Sequence, residues 1–267
     1  MSMQHQPFSP PSAVPGESGE AASCRRCGTC CLRGGPTLML SDTALLVSGA
    51  LTLESLVCLR AGEWARDDSR KVLRPLEGER IKIAGPGGRV HPWRCLYYRE
   101  GVGCGIYTQR PAQCEALFCM DTGPLEELLA KGRHMGRFAA LNALSGGIPG
   151  FSGLNAAVIG LLPDLVSAHE EQVSVRETLE LADRLGFYPA QGQGLAVERT
   201  ANHETPLEGR ERDQAVAELG EAARIDAAFR ELCVEPAGIP AAMLPFLLGR
   251  SIKDLLAEVG LKPAQGK

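Results

Sequence analysis

The chain has 267 residues, 44% of them apolar, and a formal net charge of −4. That is length enough to bury a real core, in one large domain or two small ones, without help from disulfides. The mild charge argues against a general nucleic-acid or membrane-surface binder. No apolar run approaches the ~20 residues of a membrane span. A soluble, cytoplasmic protein is expected, with no membrane or nucleic acid among its partners.

In chain order, residues 1–22 are rich in Pro, Ser and Gly and are expected to form a disordered tail. They lack the basic and apolar regions of a signal peptide. "CRRCGTCC" follows, Cys24 to Cys31, four thiols in eight residues. "TLML" predicts a short strand, and "SDTALLVSGA" a helix capped by Ser41 or Asp42. "LTLESLVCLRAGEWARDD" suits a second helix, and "RIKI" a strand before a glycine-rich turn. The second cysteine block, "CLYYREGVGCGIYTQRPAQCEALFC", completes a metal-binding domain over residues 23–123.

From Pro124 onward the texture is helical, with Leu125, Leu128, Leu129, Met135, Phe138 and Leu141 at helical spacing. "GGIPGFSG" breaks that helix. Ser174 with Glu177, and Thr205-Pro206 with Glu208, announce two more helices, joined by the loop "PAQGQGLAVERTANHET". "PAAMLPFLLGRSIKDLLAEVG" predicts a final helical segment broken near Pro245. Residues 124–262 thus form a helical C-terminal region and 263–267 a tail. The expected fold is mostly α, with an irregular metal-stabilised cysteine-rich N-terminal region and a few short strands (α+β minor).

Ten cysteines in a reducing compartment point to metal before disulfides. Cys24, Cys27 and Cys30 at C-x2-C-x2-C place three sulfurs on a tight loop, with Gly28 easing the turn. Zinc takes four thiolates tetrahedrally. A 4Fe–4S cluster takes three at this spacing plus a distant fourth. Adjacent Cys30 and Cys31 tend to diverge, so if both coordinate there are two centres or one polynuclear centre; otherwise Cys31 is merely packed. Cys95, Cys104, Cys114 and Cys119 supply four further ligands, making eight thiols in all. Residues 24–119 carry 14 Lys and Arg against 9 Asp and Glu, and Arg25, Arg26, Arg33, Arg94, Arg99 and Arg110 offset thiolate charge. Cys58 and Cys233 lie on apolar stretches and belong to the core. His91 is an idle loop residue. Pro111 starts a short helix carrying Cys114, while Arg110 either pairs with thiolate or carbonyl groups or binds an anionic substrate.

Cys24-x2-Cys27-x2-Cys30-Cys31, then Cys95, then Cys104, Ile106, Tyr107, Arg110, Pro111 and Cys114, with Cys119 closing, resembles the CxxCxxCC zinc- or iron-chelating family, the YkgJ-like cysteine cluster proteins. Leu40 to Asp42 falls at that family's strand-to-helix step. The resemblance covers residues 24–120, departing at "LYYREGVG" after Cys95, and implies zinc or iron as cofactor without a defined role. The flagellin lysine-N-methylases carry a similar cluster, which implies an iron–sulfur centre and S-adenosylmethionine chemistry. This chain has no glycine-rich strand–turn–helix motif for that cofactor.

No P-loop, H-E-x-x-H, G-x-S-x-G or C-x3-C-x2-C motif is present. Three functions stay open: a cysteine-cluster metal-binding protein, an iron–sulfur-dependent methyltransferase, and a redox or metal sensor using Cys30 or Cys31. No catalytic residue is assigned, and a protein partner is left unspecified.

Overall fold

The structure is a computed structural model that describes residues 26–67, 70–87, 91–144, 156–189, 195–199 and 207–261. Cys24, the "GGIPGFSG" break and the Thr205-Pro206 cap lie outside the described residues. Helices hold 51% of what is described and strands 13%, so the fold is mostly α with minor β.

The cysteine-rich half begins with α1 (Thr29–Arg33) and α2 (Thr43–Val47), separated by a single 3-10 turn at Leu40–Asp42. Five short strands follow up to the second cysteine block: β1 (Leu56–Leu59), β2 (Trp64–Asp67), β3 (Val72–Pro75), β4 (Arg80–Ile83) and β5 (Tyr98–Arg99). β6 (Gly103–Cys104) and α3 (Ala112–Ala116) complete it. The helical half holds α4 (Gly123–Lys131), α5 (Arg137–Leu144), α6 (Ala156–Gln172) and α7 (Val175–Arg184). A short β7 (Ala196–Val197) precedes α8 (Gly209–Val234), α9 (Leu244–Leu247) and α10 (Ile252–Glu258).

Four expectations are corrected. Where a helix was expected over residues 51–68, the described part, 51–67, forms a 3-10 turn, β1, a turn and β2. β1 pairs antiparallel with β4, and β2 with β3, to which β7 adds in parallel. Gly62 at the turn has φ +89, and a Cβ there would lie 2.6 Å from the Arg176 backbone. The apolar run Leu56–Cys58 gains more by pairing with Ile81 and Ile83, all inside the core, than by helix propensity. Each such side chain contributes about 1.5–3 kcal/mol.

"TLML" is not a strand of its own. Thr37 and Met39 make single bridges to Lys82 and His134 before the 3-10 turn. The run Leu125–Leu141 is not one helix. It divides between α4 and α5 because Met135 is drawn into extended pairing, donating its N–H to Leu38 O at 2.9 Å. Gly136 permits that path, since a Cβ there would meet Glu79 Oε1 at 2.6 Å. The last helical segment breaks at Gly249, φ +68, not at Pro245. Pro245 sits in the first turn of α9, where its missing N–H costs nothing.

Other expectations hold. "RIKI" is β4. Ser174 caps α7, accepting from Glu177 N at 3.3 Å. Pro111 precedes the short helix carrying Cys114. Cys58 and Cys233 are buried at 0% and 2% exposure.

One apolar cluster runs through both halves, from Leu38, Leu56 and Ile81 to Leu141, Val166, Phe246 and Leu247. A second joins α7, α8 and α10 through Leu179, Leu219 and Leu256. Between the halves lies a set of buried charges. Arg137, 1% exposed, donates to Glu79 at 2.8 Å, to Leu247 O at 2.8 Å and to Glu170. Arg230 donates to Asp226 at 2.9 Å and to the carbonyls of Leu248, Gly249 and Arg250. Arg60 and Arg250 share Glu63. Arg60 and Arg137 fasten the turn after α9 to the ends of β1 and β4, and Arg230 fastens it to α8. Among the described residues, no helix is long and apolar enough to cross a membrane.

Candidate metal centre

The two cysteine segments meet because small backbone features let them. Gly28, at φ +78, starts α1, and a Cβ there would lie 2.3 Å from Tyr98 Cε2. Only glycine lets the first segment rest on that ring. Tyr98 pairs with Cys104 across β5–β6, so this contact carries Cys27, Cys30 and Cys31 toward Cys104. Cys95 is tied to the same place: its N–H donates to Cys31 O at 2.8 Å.

Cys114 arrives through a residue that sequence reasoning treated only as a candidate helix cap. Asp42 is 4% exposed. Its carboxylate accepts from Met39 N at 2.8 Å and from Ala112 N at 2.7 Å. It therefore caps α3, the helix bearing Cys114, from the other cysteine segment. Thr37 N donates to Gln113 Oε1 at 3.0 Å beside it. The spacing from Asp42 to Ala112 is far too long for any local motif, so only the "LSD" step hinted at this residue.

The thiols differ in burial. Cys95 is buried, Cys31, Cys104 and Cys114 are half-buried, and Cys27, Cys30 and Cys119 are exposed. Cys30 and Cys31 do not diverge as expected: their Sγ atoms stand 3.9 Å apart. That approaches the sulfur–sulfur edge of a tetrahedral site, about 3.8 Å when the metal–sulfur bond is about 2.3 Å. One ion is therefore within reach of both neighbours.

Six of these thiols act on one another. The hydrogen bond from the Cys31 thiol pushes Cys30 down to about 6, against the opposing effect of burial. That same bond, then burial and the neighbouring Cys30, Cys95 and Cys104, push Cys31 up. Burial raises Cys95. Burial pushes Cys114 up to about 12, helped by Cys95, Cys30 and Cys104 and opposed by Arg110. A hydrogen bond with Thr29, Sγ to Oγ1 3.3 Å, lowers Cys27. For Cys95 and Cys114 burial is the main reason the thiol is favoured over the thiolate, and the charges of neighbouring sulfurs add to it.

The donor set fits a soft, thiophilic cation such as zinc or iron. Among the described residues, no three Cys, His, Asp or Glu side chains stand in finished coordination geometry. Cys27, Cys30 and Cys119 are exposed, and exposed side chains change rotamer on a nanosecond scale. His91 is exposed, with φ +50.

Arg33 and Arg110 lie close enough to Cys30 and Cys114 to favour their thiolates. The Arg26 and Arg110 guanidinium carbons lie 3.8 and 3.9 Å from the Tyr107 ring centroid. Sequence reasoning expected Arg110 to pair with thiolate or carbonyl; its contact is an aromatic face.

Residues 23–128 match the family model CxxCxxCC, described as "Putative zinc- or iron-chelating domain". No curated protein and no solved structure matches this chain.

Proposed function

We propose that this protein binds zinc or iron through its cysteine cluster and that the bound ion holds the two cysteine segments together. The ligand set is Cys24, Cys27, Cys30, Cys31, Cys95, Cys104, Cys114 and Cys119, within a unit over residues 23–123 that the helical region 124–262 supports. The observation that carries this reading is the meeting of Cys30 and Cys31, 3.9 Å apart, with Cys95, Cys104 and Cys114, whose charges act on each other across more than 60 residues of sequence. The match of residues 23–128 to a zinc- or iron-chelating domain supports it. A bound divalent ion would supply the positive charge that lets these thiols ionise together.

A second reading, a redox or metal sensor, is supported by Cys30, exposed and with its thiol pushed down to about 6. Such a thiol is largely ionised at neutral pH and open to reagents. No observation among the described residues favours methyl transfer.

The test is elemental analysis and a visible spectrum on protein purified without oxygen, followed by chelation. Zinc or iron at one or more ions per chain is expected. Cys30→Ser and Cys114→Ser should lower that content, while Cys58→Ala and Cys233→Ala should leave it intact. Chelation should speed hydrogen exchange in residues 26–33 and 95–119, leaving β1 and β4 protected. Metal-free protein with every thiol open to alkylation would sink the reading. A Cys30 that stays alkylatable with metal bound would favour the sensor.

A further inference from the structure

Tyr107 is held between two cations. Guanidinium carbons at 3.8 and 3.9 Å from one centroid must occupy opposite ring faces, because on one face they would overlap. Stacking of this kind fixes a guanidinium's plane parallel to the ring. It leaves the N–H groups pointing outward, in plane, where they make their strongest bonds.

Arg110 has no such bonds among the described residues. Its Nε is enclosed without an acceptor, and no carboxylate forms an ion pair with it. Arg94 Nε and Arg60 Nη1, the latter on a side chain paired through its Nε with Glu63, are also enclosed without an acceptor, whereas Arg137 and Arg230 are fully engaged. Arg137 has two carboxylates and a carbonyl, and Arg230 has one carboxylate and three carbonyls. A cation held in place with its enclosed Nε lacking an acceptor carries a standing cost, which a bound anion would offset. Arg110 also lies close enough to Cys114 to act on its charge, and residues 24–119 carry a net +5 with thiols neutral.

The geometry points to an oxyanion subsite beside the thiols, in which Arg110, held by Tyr107 with Arg26 behind the ring, takes the carboxylate or phosphate group of a ligand. The planar fork of arginine matches both groups. This inference rests on the metal-binding reading for its setting, and the site itself does not require the metal.

The experiment is calorimetric titration of inorganic phosphate, and separately of acetate, into the full chain at low ionic strength, zinc-loaded and metal-free. Variants Arg110→Gln and Arg110→Lys are run beside it, each checked for folding by thermal melting. Wild type should bind at least one of the two anions. Arg110→Gln should weaken binding tenfold or more, and Arg110→Lys by less, since it keeps the charge and loses the fork. Which anion binds more tightly separates a phosphate-bearing from a carboxylate-bearing ligand. Binding to wild type that both variants retain would overturn the site, as would no binding of either anion. If Arg110→Gln loses zinc while wild type ignores both anions, Arg110 serves the thiolate shell instead. If the chain takes no zinc but Arg110-dependent binding survives, the metal reading fails and the subsite stands.

Discussion

The turn from Leu247 to Arg250 and the thiol face both gather dense charge, and they satisfy it differently. At the turn, Arg137, Arg230 and Arg60 come from three separate elements and converge on successive carbonyls, with Glu63, Glu79 and Asp226 balancing them. Every partner is part of the chain. At the thiol face, Cys30 and Cys31 stand 3.9 Å apart and charge acts between them and Cys95, Cys104 and Cys114, while Arg26 and Arg110 stack on Tyr107. The first region finds its partners within the chain, Arg60 Nη1 excepted; under the proposed function, the second takes its partner from outside. A self-satisfied ion cluster locks architecture, whereas close thiols gain stability when a bound cation lets them ionise.

The sharpest way to break that comparison is to remove an arginine from the locked region. Arg137→Ala removes a buried guanidinium and leaves Glu79, a quarter exposed, without its cation, and denaturant unfolding should show a loss of about 2–4 kcal/mol, below the cost for a fully buried charge. A change within 1 kcal/mol would mean that water enters and the cluster is not locked. On the thiol side, Gly28→Ala drives a Cβ into the Tyr98 ring at φ +78. It should cost about 1–3 kcal/mol and lower zinc affinity in a chelator competition. An unchanged affinity would show that the first segment does not need Tyr98 to reach Cys104.

The smallest effect concerns pH. Burial pushes the Asp226 carboxyl up, but hydrogen bonds from His169 and Arg230 outweigh it and hold it at about 2. Its folded value is below the unfolded one, about 3.9. Its stabilisation is therefore complete above about pH 4 and is lost as pH falls toward 2. Asp226→Asn should be less stable than wild type at pH 6, with the gap closing below pH 4 in urea titrations. A gap that stays constant to pH 2 would show that Asp226 is not ionised there.

Much of the helical half was legible: Ser174 and Glu177 mark the start of α7 by a local bond. Helix "LTLESLVCLRAGEWARDD" failed because its spacing suits either period. The choice was made by β4, some twenty residues on. Asp42 looked like a cap for its own helix, and it also caps α3 seventy residues away. Arg137, Glu79 and Arg230 carried no signal at all, since surface and buried arginines are spelled alike.

What the sequence determined by itself is the supply of thiols in two blocks, and local caps and periodicity fix most helices, because those depend on neighbours a few residues apart. The tertiary structure alone decided which thiols meet, that Cys30 and Cys31 converge, and which arginines are locked and which left open. Those outcomes depend on contacts between distant segments, such as Tyr98 on Gly28 and Asp42 on Ala112, whose energies no local stretch of residues encodes.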